Sequence, residues 1–347
     1  MLEADRDGNP VRKGELVAID PTADMIARAR AAGFHILDDE QIETLSIRFV
    51  IFAPPSGDNI REGLARLKRI APESQIDYDH VFEPAGDGLL TTSSAAVRSR
   101  NDIGAISVGM IDGGVAVHPA LRNATIEQRG FTPQGARPSG HGTAVASLIV
   151  GSDGRFEGAL HGASLFVADV YGGDPAAGSA VTIARALGWL ASRGVHVINM
   201  SLVGPANPLL ERAIAVARAR GILIVAAVGN DGPAAPPQYP ASYPGVIAVT
   251  GVDGHDRALP EAGKALHLDF AAPGADMAAA LPGSGYSIVR GTSFAAPLVT
   301  ARLAGVGNRA LAIETITREA VKGHGKVGKG IVCETCRVAP RDVGAKR

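Results

Sequence analysis

Two cysteines in 347 residues, aromatics at 4% and a formal net charge of −1 deny this chain several common ways of stabilising itself or finding a partner. One cysteine pair cannot build a four-ligand zinc centre, so stability has to come from a hydrophobic core, which a chain of this length can bury. The scarcity of aromatics argues against an aromatic binding platform. A near-zero net charge gives no general attraction to nucleic acid or acidic membranes. No run of 18 apolar residues is present, so no segment is long enough for a membrane-spanning helix. The segment Met1–Asp7 is charged and lacks the apolar stretch of an export signal. No internal repeat, low-complexity tract or Gly-x-Ser-x-Gly nucleophile elbow occurs.

What the chain does have is an apolar fraction of 46% and 43 glycines, a composition suited to tight turns and close strand-to-helix packing. Residues 14–82 read as a small α+β unit of ferredoxin-like, split βαβ order. The expected elements are strand Glu15–Ile19, helix Thr22–Ala32, strand Phe34–Leu37, strand Ile47–Ala53, helix Asn59–Ile70 and strand Gln75–Phe82. In the second helix Ile60, Leu64, Leu67 and Ile70 share one face. Residues 1–13 precede this unit as an extension. Periodicity then fails over 83–102, where Pro84-Ala85-Gly86-Asp87-Gly88 and Thr91-Thr92-Ser93-Ser94 predict a linker.

From about residue 103 apolar runs alternate with helical patterns. Ile106–Ile111, Leu165–Val170, Val195–Met200, Ile222–Val228 and Val246–Val249 read as buried strands, with helices at Thr143–Val150, Val181–Ala191 and Leu209–Ala219. This alternation predicts a parallel sheet with helices on both faces, and reactive groups beyond the carboxyl ends of the strands.

Three residues occupy such positions. Asp112 ends the first run, before Gly113-Gly114. His141 lies between glycines at the start of a helix, where the neutral imidazole needed by a general base is favoured. Ser293 follows Gly291-Thr292 and opens the apolar run Phe294-Ala295-Ala296-Pro297. A serine hydroxyl is a poor nucleophile until an imidazole accepts its proton, and a carboxylate fixes the imidazole tautomer, so the three residue types form a chemical set.

With this order of Asp, His and Ser, the chain resembles the subtilisin-like serine proteases over about residues 106–338. The resemblance is carried by Gly109-Met110-Ile111-Asp112-Gly113-Gly114-Val115, Gly140-His141-Gly142-Thr143-Ala144-Val145-Ala146 and Gly291-Thr292-Ser293-Phe294-Ala295-Ala296-Pro297. A fourth block, Val225-Ala226-Ala227-Val228-Gly229-Asn230-Asp231-Gly232, is similar to the family's oxyanion segment and puts Asn230 forward as a donor. The resemblance implies that backbone near Ser201, Leu202, Val203 and Gly204, and near Gly172 to Gly178, pairs with an extended peptide or protein substrate. It also implies that Ala226, Ala227 and Gly229 help wall the pocket for the residue before the cut. The 14–82 unit resembles the family's pro-domain, which implies an intramolecular inhibitor and a self-cleavage within 83–102. Residues 103–338 would then be the catalytic domain and 339–347 a tail.

Departures from the family pattern are few. Gly113 replaces a hydroxyl residue, Ala144 stands where a second histidine is common, and Val203 replaces a glycine, which is expected to narrow the substrate groove or to alter its pairing with peptide. No cofactor is required. The family admits structural calcium, but Gly151–Ala163 lacks a set of ligating carboxylates, so no metal site is assigned, and Asp153 and Glu157 are read as solvated charges. Cys333 and Cys336 admit three readings: a short disulfide, a redox pair or two thiols. Export, which fits family habit, favours the disulfide, but the missing signal leaves the compartment open. The expected activity is serine endopeptidase. The alternatives are a catalytically silent peptide-binding module of the same fold and a serine esterase.

Overall fold

A computed structural model of the protein describes residues 1–86 and 106–346. The N-terminal unit comprises β1 (Leu2–Ala4), β2 (Pro10–Ile19), α1 (Ala23–Ala31), β3 (His35–Ile42), β4 (Ile47–Ala53), α2 (Ile60–Ile70) and β5 (Gln75–His80). Strand order is β5-β2-β4-β3, all antiparallel, with β1 paired to the first residues of β2. This is the ferredoxin-like arrangement, and it takes in residues 2–13 as strand and turn. Both helices have side-chain N-caps, Thr22 for α1 and Asn59 with Glu62 in a capping box for α2.

The sheet is buried on both faces, because alternate residues along each strand point to opposite sides. Leu16, Ala18, Val50 and Phe52 pack under α1 and α2 with Met25, Ala29, Ile60, Leu64 and Leu67. Val17, Ile19, Phe49 and Ile51 face the other way and join the core of the second unit.

That second unit begins with β6 (Glu83–Pro84) and continues through β7 (Ser107–Asp112), β8 (Thr125–Gly130), α3 (Gly140–Val150), β9 (Ser164–Asp169), α4 (Ala180–Ser192), β10 (Val197–Met200), β11 (Leu202–Val203), α5 (Pro208–Ala219), β12 (Leu223–Ala227), β13 (Ile247–Val252), β14 (Phe270–Pro273), β15 (Met277–Ala280), β16 (Tyr286–Val289), α6 (Thr292–Gly305), α7 (Ala312–Glu319) and α8 (Pro340–Val343). Seven parallel strands form its centre in the order β14-β13-β12-β10-β7-β9-β8. Val108, Met110, Val225 and Val249 pack with α3 and α6 on one face, while Ile111, Ile198, Ile224 and Ala248 pack with α4 and α5 on the other. The predicted two-faced parallel sheet is therefore the observed one.

The N-terminal sheet docks on α4 and α5. Gly188 makes the close approach feasible, since a Cβ there would lie 2.3 Å from Ile42 Cγ2. Around this apolar contact, Arg185 pairs with Asp38 and Glu40, and Thr44 Oγ1 donates to Gly188 O at 2.7 Å. The last strand of the N-terminal unit reaches the two helix starts. Val181 N–H of α4 donates to Asp79 Oδ1 at 3.0 Å, and Asn207, the N-cap of α5, donates through Nδ2 to Tyr78 O at 3.0 Å.

Cys333 and Cys336 are joined as a disulfide, not held as two thiols. The tail is ordered against the body: Lys346 exchanges backbone hydrogen bonds with Tyr286 and Ile288. Asp153 corrects its reading as a solvated charge. Its carboxylate accepts from the N–H groups of Arg155 and Phe156 and, at 2.6 Å, from the hydroxyl of Tyr286, which together hold its pKa below the ordinary value despite burial. Glu157 is exposed and pairs with His161.

Candidate active site

Asp112 is the last residue of β7, and its inward turn is set by a hydrogen bond from the Gly113 N–H to Oδ1 at 2.6 Å. His141 sits in the first turn of α3, capped by Ser139, whose Oγ accepts from the Gly142 N–H at 2.9 Å. The flanking glycine is required by packing, since a Cβ on Gly142 would stand 2.2 Å from Gly113 O. The approach brings His141 Nδ1 to 2.9 Å from both oxygens of Asp112, with His141 3% and Asp112 1% exposed. The Nδ1–H therefore donates to the carboxylate, leaving Nε2 as the basic nitrogen.

Ser293 lies in the first turn of α6. Gly291 caps that helix at φ 139°, and a Cβ there would come 3.1 Å from Asn230 Nδ2. Asn230 is tied to the same turn, its Oδ1 accepting from the Thr292 N–H at 3.0 Å, while the Thr292 hydroxyl donates to Gly229 O at 3.1 Å. Among the described residues, His141 Nε2 and Ser293 Oγ are buried without a hydrogen-bond partner.

The residue between them is Gly86. A Cβ on it would lie 2.9 Å from Ser293 Oγ and 3.7 Å from both His141 Nε2 and Asn230 Nδ2. The segment leading to it runs through the cleft as an extended strand. The Phe82 N–H donates to Gly178 O at 2.6 Å, Glu83 and Pro84 pair antiparallel with Val203 and Leu202, and the Ala85 N–H donates to Ser201 O at 2.9 Å. Asn230 Nδ2 donates to Ala85 O at 2.6 Å. The Phe82 ring lies so close to Gly204 that a Cβ on the glycine would be 2.5 Å from Cδ1.

Most of the residues expected to meet an extended peptide thus stand along this segment: Ser201, Leu202, Val203, Gly204 and Gly178. Val203 keeps its backbone pairing with Glu83, and its Cγ1 would be 3.3 Å from a Cβ on Gly229, so the branched side chain leans toward the Gly229 wall. Ala226 and Ala227 are buried in β12. Gly172 is placed elsewhere: its N–H is held by Asp169 Oδ1, and a Cβ would meet Thr132 Oγ1, so it shapes the turn after β9.

The residues that sequence reasoning missed are 83–86, read as linker. Pro84 is compatible with a short edge strand, since proline cannot donate to a ladder, but it is equally the residue of a linker and names no partner strand.

Asp169, at the end of the neighbouring strand, is held above its ordinary pKa chiefly by burial, with backbone hydrogen bonds from Arg137, Tyr171 and Gly172 opposing and the Asp112 charge adding to the rise. Among the described residues, no group of three or more His, Cys, Asp or Glu side chains could hold a metal ion.

Comparison with known proteins matches residues 104–324 to the subtilase family model, Peptidase_S8. An alkaline protease of Alkalihalobacillus alcalophilus is 34% identical over 264 residues, covering 75% of this chain and 68% of that protein. Subtilisin BL of Lederbergia lenta is 34% identical over 218 residues, covering 61% and 80%. Fervidolysin of Fervidobacterium pennivorans, described as a keratinolytic enzyme related to subtilisin, shares the fold over 96% of this chain and 62% of its own, with a TM-score of 0.73 at 18% identity. The chain belongs to the subtilase family and is a subtilisin-like serine endopeptidase.

Proposed function

We propose that peptide hydrolysis proceeds through an acyl-enzyme on Ser293 and that the chain's first substrate is its own Ala85–Gly86 bond. His141 Nε2 takes the Ser293 proton as the hydroxyl attacks the carbonyl carbon, then returns it to the leaving amine. Water repeats the sequence in reverse to release the acid. Asp112 orients the imidazole and stabilises the imidazolium. The negative charge on the former carbonyl oxygen is met by Asn230 Nδ2 and by the N–H of Ser293, one of the free N–H groups of the first turn of α6. The chemistry uses only these side chains, the Ser293 backbone N–H and no cofactor.

The observation that carries this reading is the 2.6 Å hydrogen bond from Asn230 Nδ2 to Ala85 O, made while the strand 82–85 is paired into the cleft. The carbonyl of Ala85 stands where a scissile carbonyl would. After the cut, residues 1–85 would remain seated as a product and block the groove, which makes the N-terminal unit the protein's own inhibitor.

Asn230→Ala tests this. Its kcat on a peptide substrate is expected to fall about 10²–10³-fold with KM within threefold, the scale known for removal of the corresponding donor in subtilisin, a member of this family. Self-cleavage should slow in parallel, and sequencing of the wild type should find a new N-terminus at Gly86. An unchanged kcat, or a first cut at another bond, would count against the assignment.

Release of the N-terminal unit should depend on pH. Asp79 is wholly buried against α4, and that burial raises its pKa to about 7, against the hydrogen bonds from Val181 N–H and Ser179 and the attraction of Arg12, with Glu15 adding to the rise. Its pKa in the docked state thus exceeds that in the released state, so docking takes up a proton. The attachment is tightest in acid and weakens by up to about tenfold per pH unit until pH 7, then levels off. In the self-cleaved protein, more of fragment 1–85 should co-elute with the catalytic fragment at pH 5.5 than at pH 7.5. Asp79→Asn should remove most of that difference; equal co-elution of the wild type at the two pH values would contradict the linkage.

A further inference from the structure

Beneath Ser293 runs a chain of buried polar groups to which the reaction above assigns no part. Thr300 lies about two turns further along α6, on the same side as Ser293. Its hydroxyl donates to Asn199 Oδ1 at 3.1 Å, Asn199 Nδ2 donates to Ser201 Oγ at 2.9 Å, and Ser201 Oγ–H donates to the main-chain oxygen of Ser293 at 2.9 Å. Thr300, Asn199, Ser201 and Ser293 are all 0% exposed. The direction of the chain is fixed, because each hydroxyl has a single proton and the Asn199 amide must present oxygen to Thr300 and nitrogen to Ser201.

The end point of this chain is an orphan created by the sequence. In an α-helix the carbonyl of residue 293 accepts from the N–H of residue 297, but residue 297 is proline, which has none. Left alone, the Ser293 carbonyl would be a buried unsatisfied acceptor in the turn that carries the nucleophile. Ser201 supplies the missing proton. The main-chain oxygen of the same Ser201 accepts from the Ala85 N–H, so one residue grips both the nucleophile's backbone and the residue before the cut.

We infer that Thr300 and Asn199 are positioning residues: by fixing the rotamer of Ser201 they hold the Ser293 peptide, its hydroxyl and its N–H in register with the scissile carbonyl. This inference rests on Ser293 being the nucleophile. Displacements of about 1 Å in such alignments cost on the order of 10²-fold in rate, so a loosened support should be visible in kcat.

The test is Thr300→Val, which keeps the branched shape and removes the hydroxyl, assayed at a temperature where circular dichroism shows it folded. Its kcat is expected to fall about tenfold with KM within twofold, and its second-order rate of inactivation by a serine-directed sulfonyl fluoride to fall in step. Thr300→Ser, which restores the donor, should recover both rates to within twofold. If Thr300→Val lowers only the melting temperature, or if Thr300→Ser is as slow as Thr300→Val, the inference fails. Should Thr300→Val not fold, Thr300→Ala, which adds no bulk, is judged by the same two rates. Ser293→Ala assayed alongside separates the two claims: activity surviving in it would overturn the nucleophile assignment itself, whereas its loss together with unchanged rates in Thr300→Val overturns only the positioning role.

Discussion

Ser293→Ala is expected to lower kcat for a peptide substrate by about 10⁶-fold, the scale reported for loss of the serine in subtilisin, a member of this family. The reason is that the substitution removes a step and not merely a contact. Without Oγ there is no acyl-enzyme, and the basic nitrogen of His141, held by two 2.9 Å contacts to Asp112, has no hydroxyl to activate. The oxyanion donors and the peptide groove remain, so some acceleration over water persists. The three side chains act as one unit, and His141→Ala added to Ser293→Ala should lower kcat little further. The methyl group fits the fully buried site, so melting temperature should hold while activity disappears. Intact mass would show full-length chain in this variant, and a catalytic rate within tenfold of wild type would exclude Ser293 as nucleophile.

The parts of the fold that could be read from the sequence are those whose physics is local. The strands β7, β9, β10, β12 and β13 are covered on both faces and therefore appear as largely apolar runs, with Asn199 inside β10 and Thr250 inside β13 as buried polar exceptions. The edge strand β8 is Thr-Ile-Glu-Gln-Arg-Gly, with one wholly buried residue, and β14 is four residues ending in proline; neither gives such a run. Asp112, His141 and Asn230 stood out because each adjoins a glycine and Ser293 because Gly291 stands two residues before it, and the structure explains two of these glycines: bulk at Gly142 would strike the Gly113 carbonyl, and bulk at Gly291 would crowd Asn230. What could not be read is pairing across long sequence separations. Nothing in Glu83-Pro84-Ala85-Gly86 reveals that its partner is Ser201–Val203, and its proline and glycine imitate a linker. Thr300 gave no signal either. It looks like any polar residue in a helix until Pro297 is seen to deprive Ser293 O of its usual donor.

Gly86→Pro should produce a folded, uncut and nearly silent enzyme. Three consequences of the change act together. A Cβ at this position stands 2.9 Å from Ser293 Oγ, in the path of attack on Ala85. The hydrogen bond from the Gly86 N–H to Pro84 O, which shapes the end of the bound strand, is lost because proline has no N–H. Proline also fixes its own φ and restricts Ala85 to extended backbone, so the scissile peptide cannot rotate to relieve the crowding. The bond then stays intact, and residues 82–85 stay tethered in the groove. A segment joined covalently to the site it occupies has an effective concentration on the order of mM, so even an affinity of about 1 μM would leave only about one molecule in a thousand open to another substrate. Activity on an external peptide should therefore fall about 10³-fold relative to the self-cleaved wild type from which fragment 1–85 has been removed. The site itself would be intact, which distinguishes this variant from Ser293→Ala: adding Phe82→Ala, which empties the seat beside Gly204 and weakens the bound strand, should restore part of the activity to Gly86→Pro and none to Ser293→Ala. If Gly86→Pro alone were as active as the processed wild type, residues 1–85 would not be the inhibitor, whatever bond is cut first.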